Sequence, residues 1–447
     1  MVFFRTSKLY FLLKSVLFFA YRIYFRKLII HGKENIPEEG PVIFAPNHQN
    51  ALMDPLAIIF TNRRQISFLA RADIFKKEWL SAILSRMKII PVYRIRDGKE
   101  SLRKNDEIFE LCGDVLKHNQ ALALFPEGSH NDRRSLLPLR KAIPRIAFKV
   151  EAKNDFELGL VVIPVGINYS HYSNFRTDLL IEYGKPISLS DYQNQFSENE
   201  EKASRLFMKD MSDRIKPLMI HIEDSKNHQF YEYARQIYAV QYAARKECDL
   251  SDARIRRNLD QEIIEKLFLG LKSRPEEKER LIERIEHYFS ELKALKIRSW
   301  IFDKPTNLMQ IAAKALLLLL LFPVHVYGSV NNFVIYQFIK NFVDKRVKDV
   351  QFHATYKFGL GLVFIPLVIF IQTFIVDLMF SNSLINLAYI ISLPLTGLFA
   401  FRYMIQYRKL KGVANFFVLS RSKNKRLTDL ISLRTKLLTE IVAIVEA

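Results

Sequence analysis

Cysteine is nearly absent: Cys112 and Cys248 are the only two in 447 residues. Two cannot build a disulfide framework, and no paired Cys or His spacing fits a metal site. Gly (14) and Pro (16) are also scarce, which excludes collagen-like and linker-dominated chains. The first 30 residues hold no Asp or Glu. They also lack a long apolar run. The longest uncharged gap, Ser15 to Tyr21, is seven residues, too short for a signal-peptide core or a spanning helix. No internal repeat, low-complexity tract or recognised nucleic-acid motif stands out, so nucleic acid is not expected as a partner.

What is present is positive charge and aromatic surface. The net charge is +20, with 35 Phe and 19 Tyr. Hydrophobic residues make up 49% and charged residues 26%, enough for a sizeable core in two or three domains. So basic a chain wants a polyanion. The aromatics favour an anionic membrane face, because Trp, Tyr and Phe settle at bilayer interfaces. Arg5, Lys8, Lys14, Arg22, Arg26 and Lys27 alternate with Phe, Tyr, Leu and Ile. That pattern predicts an interfacial amphipathic helix over residues 1–30, with a plain core helix as the alternative.

The C-terminal third reads as membrane. Phe358 to Val376 and Leu378 to Phe401 are uncharged, with Asp377 between them and a break at Ser381-Asn382-Ser383. Each run is long enough to span. Lys340, Lys345, Arg346, Lys348 and Lys357 precede this hairpin, and Arg402, Arg408, Lys409 and Lys411 follow it. The turn carries no base, so both outer ends are expected in the cytoplasm. Ala315 to Ile339 is also uncharged, apart from His325, but Pro323, Gly328 and Asn331-Asn332 interrupt it. Bases flank both sides, which predicts a re-entrant pair bent at Pro323 to Gly328.

Residues 31–190 alternate short β-like runs with helical stretches, as α/β domains do. The runs are 41–45, 66–70, 88–92, 121–125, 160–165 and 179–183. Residues 191–305 turn helical: Leu281, Ile285, Tyr288, Leu292 and Leu295 recur at three and four, as do Phe230, Tyr233, Ile237 and Val240. The expected architecture is an α/β domain, a mixed sheet flanked by helices. A helical connector follows, then a C-terminal α-helical membrane region at 306–447 ending in a basic cytoplasmic tail.

Chemistry-bearing residues gather at the ends of the β-like runs, where α/β sheets place their sites. His48 follows the first run, and Asp54-Pro55 follows His48. A His with a nearby carboxylate to fix its tautomer is a general-base arrangement. The plain alternative has Asp54-Pro55 capping a helix. Phe125-Pro126-Glu127-Gly128-Ser129 follows another run, with Arg133, Arg134, Arg140 and Lys141 soon after. Gly permits close backbone approach, and the bases suit a phosphate. Alone, this block reads better as a β-turn before a solvated basic helix. Ile90-Pro91-Val92-Tyr93-Arg94 offers another cation, and Val162-Ile163-Pro164-Val165 reads as core strand. Neither cysteine sits in a motif as a nucleophile.

The four blocks in this order resemble the glycerophosphate acyltransferase superfamily, the lysophosphatidate acyltransferase-like family, over roughly Ile43 to Gly184. The branch containing the yeast-type glycerol-3-phosphate and dihydroxyacetone-phosphate acyltransferases is the most similar. It shares the wider His-to-Asp spacing, five intervening residues here where the family usually has four. It also shares the run Ser129-His130-Asn131-Asp132-Arg133 and Leu136-Leu137-Pro138-Leu139. His130 stands where the family usually has Arg; Arg133 or Arg134 is the substitute. The resemblance implies a membrane-bound O-acyltransferase of phospholipid synthesis. His48 would be the base and Asp54 its orienting partner. Arg94, Glu127, Gly128, Ser129 and Arg133 would bind the acceptor, and Pro164 would line the acyl side. It implies no metal and no bound cofactor. The donor would be acyl-CoA or acyl-carrier protein, and the acceptor a phosphorylated glycerol or a lysophospholipid. The enzyme would be integral to the membrane with its catalytic domain on the cytoplasmic face, the inner membrane if bacterial. A lysophospholipid-remodelling enzyme and a non-catalytic scaffold on a degenerate acyltransferase fold are the rivals.

Overall fold

The computed structural model describes residues 8–75, 77–93, 99–304 and 307–446. The chain divides into two compact units, residues 1–221 with 349–358, and residues 222–348 with 359–447.

The first unit opens with helix α1 (Lys8–Tyr24) and strand β1 (Lys27–His31). Then come β2 (Val42–Pro46), α2 (Met53–Thr61), β3 (Ile66–Arg71), α3 (Glu78–Arg86), β4 (Ile89–Val92), α4 (Lys99–Lys117) and β5 (Ala121–Ala123). Helix α5 (Ala142–Ala152), β6 (Val161–Tyr169), β7 (Asp178–Tyr183), β8 (Ile187–Ser188), α6 (Gln193–Glu198) and α7 (Glu200–Ile215) complete it. The sheet runs β1-β7-β6-β2-β5-β3-β4, with β8 also pairing to β6. Strands β6, β2, β5, β3 and β4 are mutually parallel, and β7 is antiparallel to β6. Parallel strands are covered on both faces, so they read as continuous apolar runs, and β2 and most of β6 are buried throughout. On one face Ile43, Leu122 and Val162 pack with Cys112 of α4, Ile146 of α5 and Phe207 and Met211 of α7. On the other, Phe44 meets Tyr183, whose hydroxyl hydrogen-bonds to Thr61 of α2. Helix α1 adds Phe18 and Tyr21 against Phe60.

Every expected run is a strand, but the boundaries move. The sheet begins at Lys27, inside the segment read as a membrane helix, because Leu28 to Ile30 pair in register with Leu179 to Ile181. Helices α6 and α7, expected in the connector, belong to this unit, since Phe207, Met211 and Ile215 fill its core. Helix α1 buries Tyr10, Tyr21 and Tyr24 and leaves Leu12, Val16, Phe19 and Ile23 exposed along a single stripe.

The second unit contains α8 (His228–Arg245), α9 (Ala253–Leu271), α10 (Pro275–Ala294), α11 (Leu308–Leu320) and α12 (Phe322–Arg346). Helix α13 (His353–Phe380) starts in the first unit and continues here, followed by α14 (Ser383–Arg421) and α15 (Lys425–Val445). Helices α13 and α14 are long and apolar enough to cross a membrane. Asn382 caps α14 by accepting from the Leu384 and Ile385 N–H groups, so the expected break is where the sequence put it.

One expectation changes. Helices α11 and α12 meet at Leu321 with a bend of 53°, and no turn occurs at Pro323 to Gly328. Pro323 lies in the first turn of α12, where its missing N–H costs nothing. Gly328 is there for contact: a Cβ would stand 2.2 Å from the Thr396 carbonyl oxygen of α14. The C-terminal tail is a packed helix. Leu427, Leu430, Leu437 and Ile441 of α15 are buried against α8 to α10. Among them Arg434 is also buried. It donates to the Tyr288 hydroxyl (3.0 Å), the Ser299 hydroxyl (2.9 Å) and the Asp303 carboxylate (2.6 Å).

Candidate active site

The site lies at the C-terminal edge of the parallel strands, where chain ends leave the sheet together. Asn47 follows β2 and continues it. Its side chain donates to the Ile167 carbonyl and accepts from the Ile167 N–H, which aims the next residue. That residue is His48. Its Nδ1 lies 2.8 Å from Asp54 Oδ2, in the first turn of α2. Asp54 is fully buried and its charge is answered by donors. Oδ2 also accepts from the Gln49 and Asn50 N–H groups, both at 2.7 Å, and Oδ1 accepts from the Tyr169 hydroxyl at 2.6 Å. A buried carboxylate so held fixes the imidazole with Nδ1 toward Asp54 and leaves Nε2 for proton transfer.

The wider spacing between His48 and Asp54 does not part them. A turn closes on Asn50, whose carbonyl accepts from the Met53 N–H at 2.8 Å. Within it Ala51 takes a positive φ of 34°, so the extra residue is absorbed locally.

Phe125, after β5, stacks on the His48 ring at 3.9 Å between centroids. The chain then turns tightly, with the Gly128 N–H bonded to the Phe125 carbonyl. Gly128 has φ 67°, and a Cβ there would meet Arg140 at 3.1 Å. Ser129 is exposed beside it, and His130 meets His48 edge-on at 5.1 Å. Burial and the neighbouring His48 hold the His130 imidazole below its ordinary pKa.

Glu127 is placed differently from the expectation that it binds acceptor. It is 1% exposed. Oε1 accepts the His48 N–H at 2.6 Å and Oε2 the Leu137 N–H at 2.8 Å. Both oxygens are thus committed to backbone. Glu127 braces the His48 loop to the loop after Gly128. Burial pushes its carboxyl up to about 8, against the two N–H donors that hold it down.

Pro164 is likewise core, buried mid-strand in β6 beside Ala45, with its carbonyl accepting the Gly184 N–H. Arg133 is exposed, and its carbonyl accepts from the Gln49 side chain at 2.9 Å. Arg134 is buried, donating to the Tyr169 carbonyl at 2.8 Å. Arg94 lies outside the described residues.

Sequence reasoning missed Tyr169 and Arg71. Tyr169 ends β6, and pairing of Pro46 with Val165 brings that end level with His48. Arg71 ends β3, ion-pairs with Asp73, and its charge acts on His130. Both stand at strand ends on the same edge, which is the signal that could have found them. Among the described residues, no group of His, Cys, Asp and Glu is arranged to hold a metal.

Residues 27–168 match the Acyltransferase family model. Glycerol-3-phosphate O-acyltransferase 1 of Saccharomyces cerevisiae is 20% identical over 53% of this chain and 43% of its own. The 1-acyl-sn-glycerol-3-phosphate acyltransferase of Borreliella burgdorferi is 27% identical over 35% of this chain and 57% of its own. The chain spans about half the length of the curated relatives it matches. The crystal structure of a 1-acyl-sn-glycerophosphate acyltransferase from Thermotoga maritima aligns at 20% identity over 46% of this chain and 81% of that one. Its TM-score is 0.32, too loose an overlap to bear on the fold. Residues 27–168 form an acyltransferase domain, similar in sequence to those of glycerol-3-phosphate and 1-acyl-sn-glycerol-3-phosphate acyltransferases.

Proposed function

We propose that this chain transfers a fatty acyl group from a soluble thioester, acyl-CoA or acyl-carrier protein, to a hydroxyl of a glycerol-phosphate acceptor. The acceptor is glycerol-3-phosphate or 1-acylglycerol-3-phosphate. The observation that carries the reading is the 2.8 Å contact between His48 and fully buried Asp54, inside the family-matched region. His48 Nε2 takes the acceptor O–H proton as the oxygen attacks the thioester carbonyl carbon. The C–O bond forms, the C–S bond breaks, and the leaving thiolate takes the proton back from the imidazolium. Asp54 supports the imidazolium by charge and by orientation. Arg71 and Arg133, with Arg94, supply cations for the acceptor phosphate, and the open turn at Gly128 and Ser129 lets it approach. A non-catalytic scaffold has no use for a buried carboxylate held by three donors beside a histidine, which favours catalysis.

The reaction belongs at a membrane. The exposed stripe Leu12, Val16, Phe19 and Ile23, with Arg22 beside it, suits the headgroup plane of an anionic bilayer. Helices α13 and α14 cross it. Helix α15 packs on α8 to α10, so the residues before α11 and those after α14 share one side. The chain between them crosses an even number of times. Two crossings by α13 and α14 leave α11 and α12 to enter and return on that side, which is cytoplasmic by the bases after Phe401.

The test supplies labelled acyl-CoA and acyl-carrier protein to membranes holding the full chain. The acceptor panel contains glycerol-3-phosphate, 1-acylglycerol-3-phosphate and lysophosphatidylcholine. Acylated glycerol phosphate is the expected product. Product from lysophosphatidylcholine alone would replace this reading with lipid remodelling.

A further inference from the structure

The segment Asp349–Phe358 is remote in sequence from the family-matched region, yet it belongs to the catalytic unit. It touches each loop that builds the site. The Thr355 hydroxyl accepts from the Leu52 N–H at 3.2 Å, in the turn that delivers Asp54. Lys357 donates to the Ser173 carbonyl at 2.8 Å, beyond the end of β6. Phe358 meets Tyr21 and Tyr24 of α1 edge-on, at 6.0 and 5.8 Å. Phe352 meets the His130 ring edge-on at 5.0 Å, and His130 in turn meets His48 edge-on. Asp349 adds its charge near His130. Ala354 and Phe358 are buried, so the segment is seated on the domain.

Resting on the acyl-transfer reading above, we propose that Phe352 is a positioning residue of the acceptor site. It holds His130 against His48 and closes that side of the pocket to water, so that the thioester meets the acceptor hydroxyl and not a water molecule. A residue that only supported the fold would lower all activity together. A wall that excludes water instead sets the partition between transfer and hydrolysis, because water competes directly for the same base and the same carbonyl.

The experiment uses the full chain in lipid vesicles with acyl-CoA and glycerol-3-phosphate. It measures released thiol and acylated product side by side. Phe352→Ala is expected to lower kcat/KM for the acceptor about tenfold or more and to raise the ratio of thioester hydrolysis to transfer. Phe352→Tyr, which keeps the ring edge, is expected to restore both. Thr355→Val, which removes only the bond to Leu52, is expected to shift the ratio the same way by less, and serves if the Ala variant folds poorly. An Ala variant with the wild-type acceptor KM and the wild-type ratio would overturn the proposal. A separate arm does not depend on activity: Leu52→Cys with Thr355→Cys, in a Cys248→Ser background, is expected to form a disulfide on mild oxidation. No cross-link would overturn the seating of the segment. If the wild type acylates no acceptor while the cross-link forms, the acyl-transfer reading fails and the seating stands.

Discussion

At the residue scale the site is a question of which atoms are already committed. Asp54 receives three protein donors besides His48, so an amide in its place turns an NH2 group toward groups that are themselves donors. Asp54→Asn is expected to lower kcat by on the order of 10²–10⁴-fold with little change in acceptor KM. Steady-state kinetics on membranes of matched content checks it; a near-wild-type kcat would reduce Asp54 to a helix cap. Tyr169→Phe removes one donor and keeps the ring, so its effect on kcat is expected in the same direction and smaller. Glu127 separates two roles. As the brace between the His48 and Leu137 N–H groups, Glu127→Gln leaves one N–H facing a donor, at about 1–3 kcal/mol. The thermal midpoint and kcat are then expected to fall together. A higher acceptor KM at unchanged stability would return Glu127 to the acceptor site.

At the element scale, the strands carrying the motifs were legible because parallel strands covered on both faces must be apolar throughout. Strand β1 was hidden: Leu28 to Ile30 are half-buried and merge with the basic, aromatic run before them. His48 and Asp54 were visible as types and order, and their pairing is a matter of loop geometry at Asn50 and Ala51. The inward turn of Glu127 was not legible, since nothing in Pro126-Glu127-Gly128 says which way a carboxylate points. Tyr169 needs the register of β6 on β2 before it can be placed. Arg434 was equally hidden, one base among many near the C-terminus. In the fold it is the buried pin that joins α15 to Tyr288, Ser299 and Asp303. Arg434→Ala leaves the Asp303 carboxylate buried without its cation, which costs about 3–5 kcal/mol. Limited proteolysis is expected to release α15 at temperatures where the wild type is resistant. Unchanged protection would mean that the apolar contacts of α15 suffice alone.

At the scale of the whole molecule, the proposed reaction would bring a soluble thioester and a membrane-borne product together on one side of a bilayer. In the proposed topology the packing of α15 on α8 to α10 favours an even number of crossings, because an odd number would separate them. Single cysteines at Asn382 and Ser383 are expected to label from outside, and those at Lys345 and Lys423 only after permeabilisation. External labelling at Lys345 would mean that α11 and α12 form one broken span. The proposed reaction is the more central matter, and it would rest on a single ring nitrogen. The direct measurement is acyl transfer from labelled acyl-CoA to glycerol-3-phosphate and 1-acylglycerol-3-phosphate by membranes of wild type and His48→Ala, at equal protein content and equal thermal midpoint. The account predicts acylated product from the wild type and none above background from the variant. Wild-type turnover by His48→Ala would contradict it.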